Sequence, residues 1–319
     1  MKRNMFFSIN GKRFPAILMS LLGIFMALSL IISFGKTGGK FANGENTNTS
    51  YLKWVEFGVP YDILKKTIEL DIKSQNEEIK LDFIEILAYL SAKNGGNYKN
   101  HKADTLNNLV KQLKEGKKMN ELAEGTKLYS FYIEAYSAIL AEYVGEYEAE
   151  NIIKYGVKVK HPVMGSYSES DDFGNSRNYG FKRKHLGHDF MASVGTAVCA
   201  VEGGVIEALG WNQYGGWRVG IRSFDGKRYY YYAHLRKDNP FAKDLKEGQT
   251  VKAGQTIGYV GMTGYSTKEN VNNIQTPHLH FGIQLIFDEV QKEGVNQIWI
   301  DCYQISKLLR NPPPPIILK

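Results

Sequence analysis

The chain has 319 residues, with 40 Lys+Arg against 33 Asp+Glu, 43% hydrophobic residues and two cysteines. That is the composition of a folded protein of about two domains, and it excludes a disordered chain, a collagen-like repeat and a disulfide-rich scaffold. The net charge of +7 divides unevenly: residues 1–50 carry 6 basic and 1 acidic side chains, residues 51–150 carry 13 and 17, and residues 151–319 carry 21 and 15. Only the last segment offers positive charge to a substrate, too little to imply nucleic acid as a partner.

Pro15 to Phe34 holds no charged residue over twenty positions, about 30 Å as a helix and enough to cross a hydrocarbon core. Lys2, Arg3, Lys12 and Arg13 precede it, so the positive-inside bias puts residues 1–14 in the cytoplasm and the rest outside a bacterial cell membrane. A cleaved signal peptide is the rival reading. The run is longer than the ~7–15 residues of such a segment, and Ser33-Phe34-Gly35-Lys36 makes a poor cleavage site. The expectation is a single-pass transmembrane signal anchor over 15–34, then a Gly-, Asn- and Thr-rich linker over 35–50.

Residues 51–150 read as a small helical bundle that could engage a protein partner. Pro60 suits the start of a helix over 61–72, and Leu81 to Leu90 forms a second. Asp104 can cap a third, with Leu106, Leu109, Val110 and Leu113 on one stripe and Gly116 closing it. Leu128 to Tyr147 reads as a long fourth. Ile86 to Asn97 also resembles the helix that carries the acidic residue of lytic transglycosylases. Lys93 stands where that family has glutamate, so the general acid for glycan cleavage is missing.

From about Lys158 short runs of period two appear between glycines: 198–201, 204–209, 217–221, 229–234, 256–260 and 279–287. Such spacing predicts an antiparallel, sandwich-like β domain over 151–311, with a proline-rich tail over 312–319. Tyr230 and Tyr232 share strand parity with His234 and would line a peptide groove, leaving Tyr229 and Tyr231 to the core. Cys199 and Cys302 could pair in an exported segment or stay as buried thiols.

The same segment holds His185-Leu186-Gly187-His188-Asp189, Tyr232-Ala233-His234-Leu235 and Pro277-His278-Leu279-His280. On a strand, His278 and His280 face one side and can reach one centre. Imidazole and carboxylate suit Zn²⁺, and a catalytic zinc with three protein ligands keeps a position for water, whose pKa falls to about 7. Spare histidines can accept a proton or donate to an oxyanion.

These motifs, in this order, resemble the lysostaphin-like (LytM-type) zinc endopeptidases over roughly 160–290. Leu245 to Gly258 is similar to the β-turn-β unit that those enzymes share with biotinyl and lipoyl domains. The resemblance implies an α+β chain with a C-terminal antiparallel domain of duplicated-hybrid-motif type. It implies one Zn²⁺ held by His185, Asp189 and His280, and catalytic roles for His278 as general base and His234 toward the oxyanion. The sequence alone does not order those two histidines. The implied reaction is attack of zinc-bound water on an amide in peptidoglycan stem peptides or cross-bridges. His188 occupies a position that the family usually fills with an apolar residue; in an extended 188–190 it points away from Asp189. The loop 265–276 is longer than usual and would reshape one wall of the groove. A non-catalytic LytM-type wall-binding or scaffold protein in a division or sporulation complex is the alternative, but such members commonly lack one of the five residues present here. A biotinyl or lipoyl carrier would leave the histidines unexplained.

Overall fold

The computed structural model describes residues 57–178, 182–293 and 297–318. Its helices are α1 (Tyr61–Ser74), α2 (Phe83–Asn94), α3 (Ala103–Lys114), the single turn α4 (Met119–Leu122), α5 (Tyr129–Leu140) and α6 (Tyr303–Arg310). α2 begins at Asp82, whose carboxylate accepts from the backbone N–H of Ile84 at 2.7 Å and of Glu85 at 3.1 Å. It ends at Gly95, with φ +61°. These are the side-chain and left-handed caps that satisfy orphaned helix-end groups. Asp104 does not cap α3; Lys102 stands at that position and Asp104 falls in the first turn, where a negative charge still favours the helix dipole.

The expected helix over 128–147 stops at Leu140. Gly145 weakens further helix, and Val144–Ala149 becomes β1, paired with β2 (Ile152–Val157). Glu150 and Asn151 between them have φ of +57° and +59°, a two-residue turn of type I′ whose twist suits a hairpin. The proline-rich end is not a free tail. Ile316–Ile317 forms β15 on the other edge of β2, and a Cβ on Gly156 would lie 2.8 Å from Cβ of Pro315, so glycine is what lets the proline run seat there.

The remaining strands are β3 (Val163–Met164), β4 (Ser176–Asn178), β5 (Lys182–Lys184), β6 (His188–Met191), β7 (Ala197–Cys199), β8 (Gly204–Asn212), β9 (Gly216–Ser223), β10 (Arg228–Ala233), β11 (Thr250–Val251), β12 (Thr256–Tyr259), β13 (His278–Leu285) and β14 (Ile298–Ile300). The large sheet runs β11-β8-β9-β10-β13-β14, and β6 also pairs with β13; a smaller sheet is β12-β7-β3. All of these pairings are antiparallel. One edge of β13 is shared: β6 takes residues 278–281 and β14 takes 283–285.

The α+β, antiparallel part of the expectation stands, but the transmembrane helix as an element of the fold is corrected. Among the described residues no helix is long and apolar enough to cross a membrane, so the single-pass placement in a bacterial cell membrane is not supported. The segment 15–34 that prompted it, and the linker 35–50, lie outside the described residues. Cys199 and Cys302 are both buried free thiols rather than a disulfide.

The helices and the large sheet share one core, in which Leu64, Ile68, Leu87 and Tyr136 belong to the same cluster as Tyr230, Phe281 and Ile305. A buried ion pair ties the two across this seam. The fully buried Arg228 meets Glu202 through Nε at 2.9 Å and Nη2 at 3.0 Å, and donates through Nη1 to the carbonyl of Ala138 near the end of α5 at 2.8 Å. Tyr230 also donates to Glu202. Removing one partner strands the other charge in a dry site. Arg228→Met is therefore expected to lower unfolding free energy by about 3–5 kcal/mol, and adding Glu202→Leu to recover part of it. Urea denaturation of both variants checks this; an additive loss in the double variant would contradict the pairing.

Candidate active site

The register of three strands builds the site. β6 and β13 set Asp189 opposite His280 and Met191 opposite His278, while β13 and β10 set His280 opposite Ala233. Opposed residues share a sheet face, so Asp189, His278 and His280 project together. His185 joins from the approach to β6. Its backbone N–H donates to Asn175 at 2.9 Å and its carbonyl accepts from Gly174 at 2.8 Å. Gly187 has a steric reason: a Cβ there would lie 2.6 Å from both Cε1 of His280 and the carbonyl of Phe281.

Three donor atoms crowd together. His185 Nε2 lies 3.0 Å from Asp189 Oδ1 and 2.9 Å from His280 Nδ1, and His280 Nδ1 is 3.1 Å from Asp189 Oδ1. Tetrahedral Zn²⁺ with ~2.0–2.1 Å bonds sets its donors about 3.3 Å apart, so the set fits with shifts of a few tenths of an ångström. The side chains behind it also fit a cation. His185 Nδ1 donates to Asp172, 3.1 Å from both its carbonyl and its Oδ2, which turns Nε2 toward the cluster as the nitrogen a cation would take in place of a proton. Arg177 Nη2 holds Asp189 Oδ2 at 3.0 Å and Asp172 Oδ2 at 2.9 Å, leaving Asp189 Oδ1 to the cluster. Burial opposes charge on His185, but Asp172 and Asp189 prevail and raise its pKa to about 9. The same two carboxylates make a well for a metal cation.

His188 extends this support. As expected for alternate strand residues it faces away from Asp189, and it is fully buried. Its Nδ1 is 2.8 Å from Asp172 Oδ1 and its Nε2 is 3.0 Å from Glu169. Glu169 in turn accepts from Ser306 of α6 at 2.6 Å.

His234 and His278 complete the wall of a cavity of about 190 Å³ that also contains His185, Asp189 and His280. Their rings are 4.9 Å apart, and His278 Nε2 is 3.8 Å from Asp189 Oδ1. Each ring is set by a carbonyl: His234 Nδ1 lies 2.9 Å from the Thr263 oxygen and His278 Nδ1 2.8 Å from that of Thr276. A carbonyl only accepts, so both Nδ1 atoms carry hydrogen and both Nε2 atoms of the neutral rings are acceptors. Burial, with His278 and His280 adding to it, pushes the pKa of His234 far down and keeps it neutral.

The structure reverses the tyrosine assignment. Tyr230 and Tyr232 are core, whereas Tyr229 and Tyr231 line a groove of about 650 Å³ that shares His185, His280 and Arg183 with the first cavity. The parity rule fails because His234 has φ +62°. That left-handed residue ends β10 and turns its imidazole to the other side of the sheet. Sequence reasoning also missed Asp172, Arg177, Arg183 and Tyr265. The long loop 265–276 does form a wall, with Tyr265 stacked on the Arg183 guanidinium at 4.9 Å and hydrogen-bonded to it.

The model of peptidase family M23 matches residues 183–296. The L-Ala--D-Glu endopeptidase of Bacillus subtilis (strain 168) is 39% identical over 146 residues, 46% of this chain and 43% of that protein. Lysostaphin of Staphylococcus simulans is 44% identical over 98 residues, 30% of this chain and 17% of its own. The chain thus spans less than half the length of these curated relatives. A crystal structure from Ruminococcus gnavus, named for a glycyl-glycine endopeptidase lytM, has a TM-score of 0.55 at 22% identity and covers 85% of this chain and 95% of that one; this is a likeness of fold. The family match takes in His185, Asp189, His234, His278 and His280 and leaves Asp172 and Arg177 outside it. Residues 183–296 are thus a peptidase M23 domain.

Proposed function

We propose that the protein is a zinc-dependent endopeptidase that hydrolyses an amide bond in peptidoglycan stem peptides or cross-bridges. The observation that carries this reading is the convergence of His185, Asp189 and His280, as metal-ready donors, with two further histidines whose Nε2 atoms are acceptors in one cavity. The names of the Bacillus and Staphylococcus relatives support an amide of the cell wall as the substrate. Zn²⁺ held by the three donors would supply Lewis acidity toward the amide carbonyl and a water of pKa near 7.

The chain's own residues do the rest. His278 lies nearer the ligand oxygen of Asp189 and is assigned as the base that takes the proton of the attacking water. His234 also begins as an acceptor, because its Nδ1 hydrogen is committed to Thr263. It can donate to the oxyanion only as the protonated ring. Asp172 and Arg177 hold His185 and Asp189 in orientation, and Arg183 and Tyr265 line the same cavity. Among the described residues lining the cavity there is no serine or cysteine, so the reading uses no acyl-enzyme.

Metal analysis of the full chain is expected to find about one zinc, lost in His185→Ala and Asp189→Ala. His278→Ala should keep the metal and lose about 10²–10⁴-fold in cleavage, read by mass spectrometry of digested peptidoglycan, which also identifies the scissile bond. A folded, metal-loaded wild type that releases no peptide would sink the proposal. Asp172→Asn should weaken zinc affinity about 10–100-fold in a chelator competition; an unchanged affinity would remove Asp172 from the metal's support.

A further inference from the structure

Resting on the peptidase reading, we infer that Arg218, with Arg183 beside it, forms an anion subsite that selects peptides with a free carboxylate next to the scissile amide. The row of residues that builds the metal cluster continues past it. Asp189 opposes His280 and His280 opposes Ala233; Tyr231, two residues from Ala233, opposes Gly220, and Arg218 lies two residues from Gly220 along β9, on that same face. Arg218 therefore stands two strands from His280 on the same face, roughly 10 Å between backbones. Tyr231 lines the same groove as Arg218 and His280. Tyr231 packs edge-on to His280 at 5.9 Å and feels both guanidinium charges, Arg218 and Arg183.

The arginines on this side differ in what neutralises them. Arg177 is committed to Asp172 and Asp189, and Arg222 is held bidentately by Glu207 at 2.7 Å for both contacts. Arg183 and Arg218 form no ion pair among the described residues, although both line the groove, and the Nε atom of each is buried without a hydrogen-bond partner. A half-buried guanidinium with unmet donors carries a desolvation cost that an incoming carboxylate would offset through paired N–H···O bonds. An amide substrate lying on the cluster extends its neighbouring groups along this groove. A carboxylate on the atom next to the scissile nitrogen or carbonyl would come within reach of a side chain as long as arginine. A polyglycine bridge offers no such group, so the subsite distinguishes stem peptides from neutral cross-bridges.

The test is a calorimetric titration of the full-length, zinc-loaded His278→Ala chain, which keeps the metal without turning the peptide over, with two stem peptides that differ only in one group: a free α-carboxylate on the glutamyl residue or its carboxamide. The carboxylate form is expected to bind about 10–100-fold tighter, the size of one charge-assisted pair. Arg218→Gln should collapse that ratio to about unity, and Arg218→Lys should restore part of it. Equal affinity in this His278→Ala parent, or a ratio that survives when Arg218→Gln is added with the fold intact by circular dichroism, overturns the subsite. Because binding is read without turnover, absence of cleavage would count against the peptidase reading alone.

Discussion

The antiparallel register of β13 against β6 on one side and β10 on the other is the constraint on which the rest of the molecule depends. It sets Asp189, His280 and Ala233 in one lateral row and His278 two residues along, all on one face. A slip of a single residue would send every one of these side chains to the opposite face. The register is held by what lies beneath it. Phe190, Leu279, Phe281, Tyr230 and Tyr232 are fully or almost fully buried on the reverse side, so a slip would also drive these large apolar groups into water. Core packing and site geometry are the two faces of the same strands.

Around that frame, charges are placed so that each histidine is left in one hydrogen-bonding state. Asp172 serves His185, backbone carbonyls serve His234 and His278, and Arg177 takes the outer oxygen of Asp189. The result is a set of inward-facing lone pairs fixed by outward-facing hydrogen bonds, the arrangement that a metal centre and its proton acceptors require. Buried charge is used a second time, far from this cavity, where Arg228 and Glu202 lock the sheet to the end of α5.

The parts of the site that were legible in the sequence are those set by local spacing. Two histidines two apart on a strand, and a histidine and an aspartate four apart, lie within short local motifs, and His188 followed strand parity. What was not legible depends on the distant chain. Asp172 and Arg177 belong to no motif and come to His185 only because backbone bonds join 174–175 to residue 185. Tyr231 was assigned to the wrong face because one left-handed residue, His234, breaks the alternation that the assignment assumed. In the helical half, the apolar run from Leu81 to Leu90 located α2, whose caps in the structure are Asp82 and Gly95. The end of α5 was not, since residues 144–149 become a strand only by pairing with 152–157, and the proline-rich end becomes ordered only because Gly156 leaves room for Pro315. The apolar run at 15–34 shows the opposite hazard, a strong compositional signal that no described helix supports.

The polar relay behind the cluster has a thermodynamic consequence. From Ser306 on α6 it passes through Glu169, His188 and Asp172 to His185, with contacts of 2.6, 3.0, 2.8 and 3.1 Å. Each member is held in place partly by the next, so docking of the C-terminal helix and retention of a cation by the proposed ligand set share free energy. Linkage of this kind is reciprocal: whatever factor a bound cation contributes to keeping α6 seated, a seated α6 returns to the affinity for that cation. The last helix of the chain is then an affinity-setting element of a centre that it never touches.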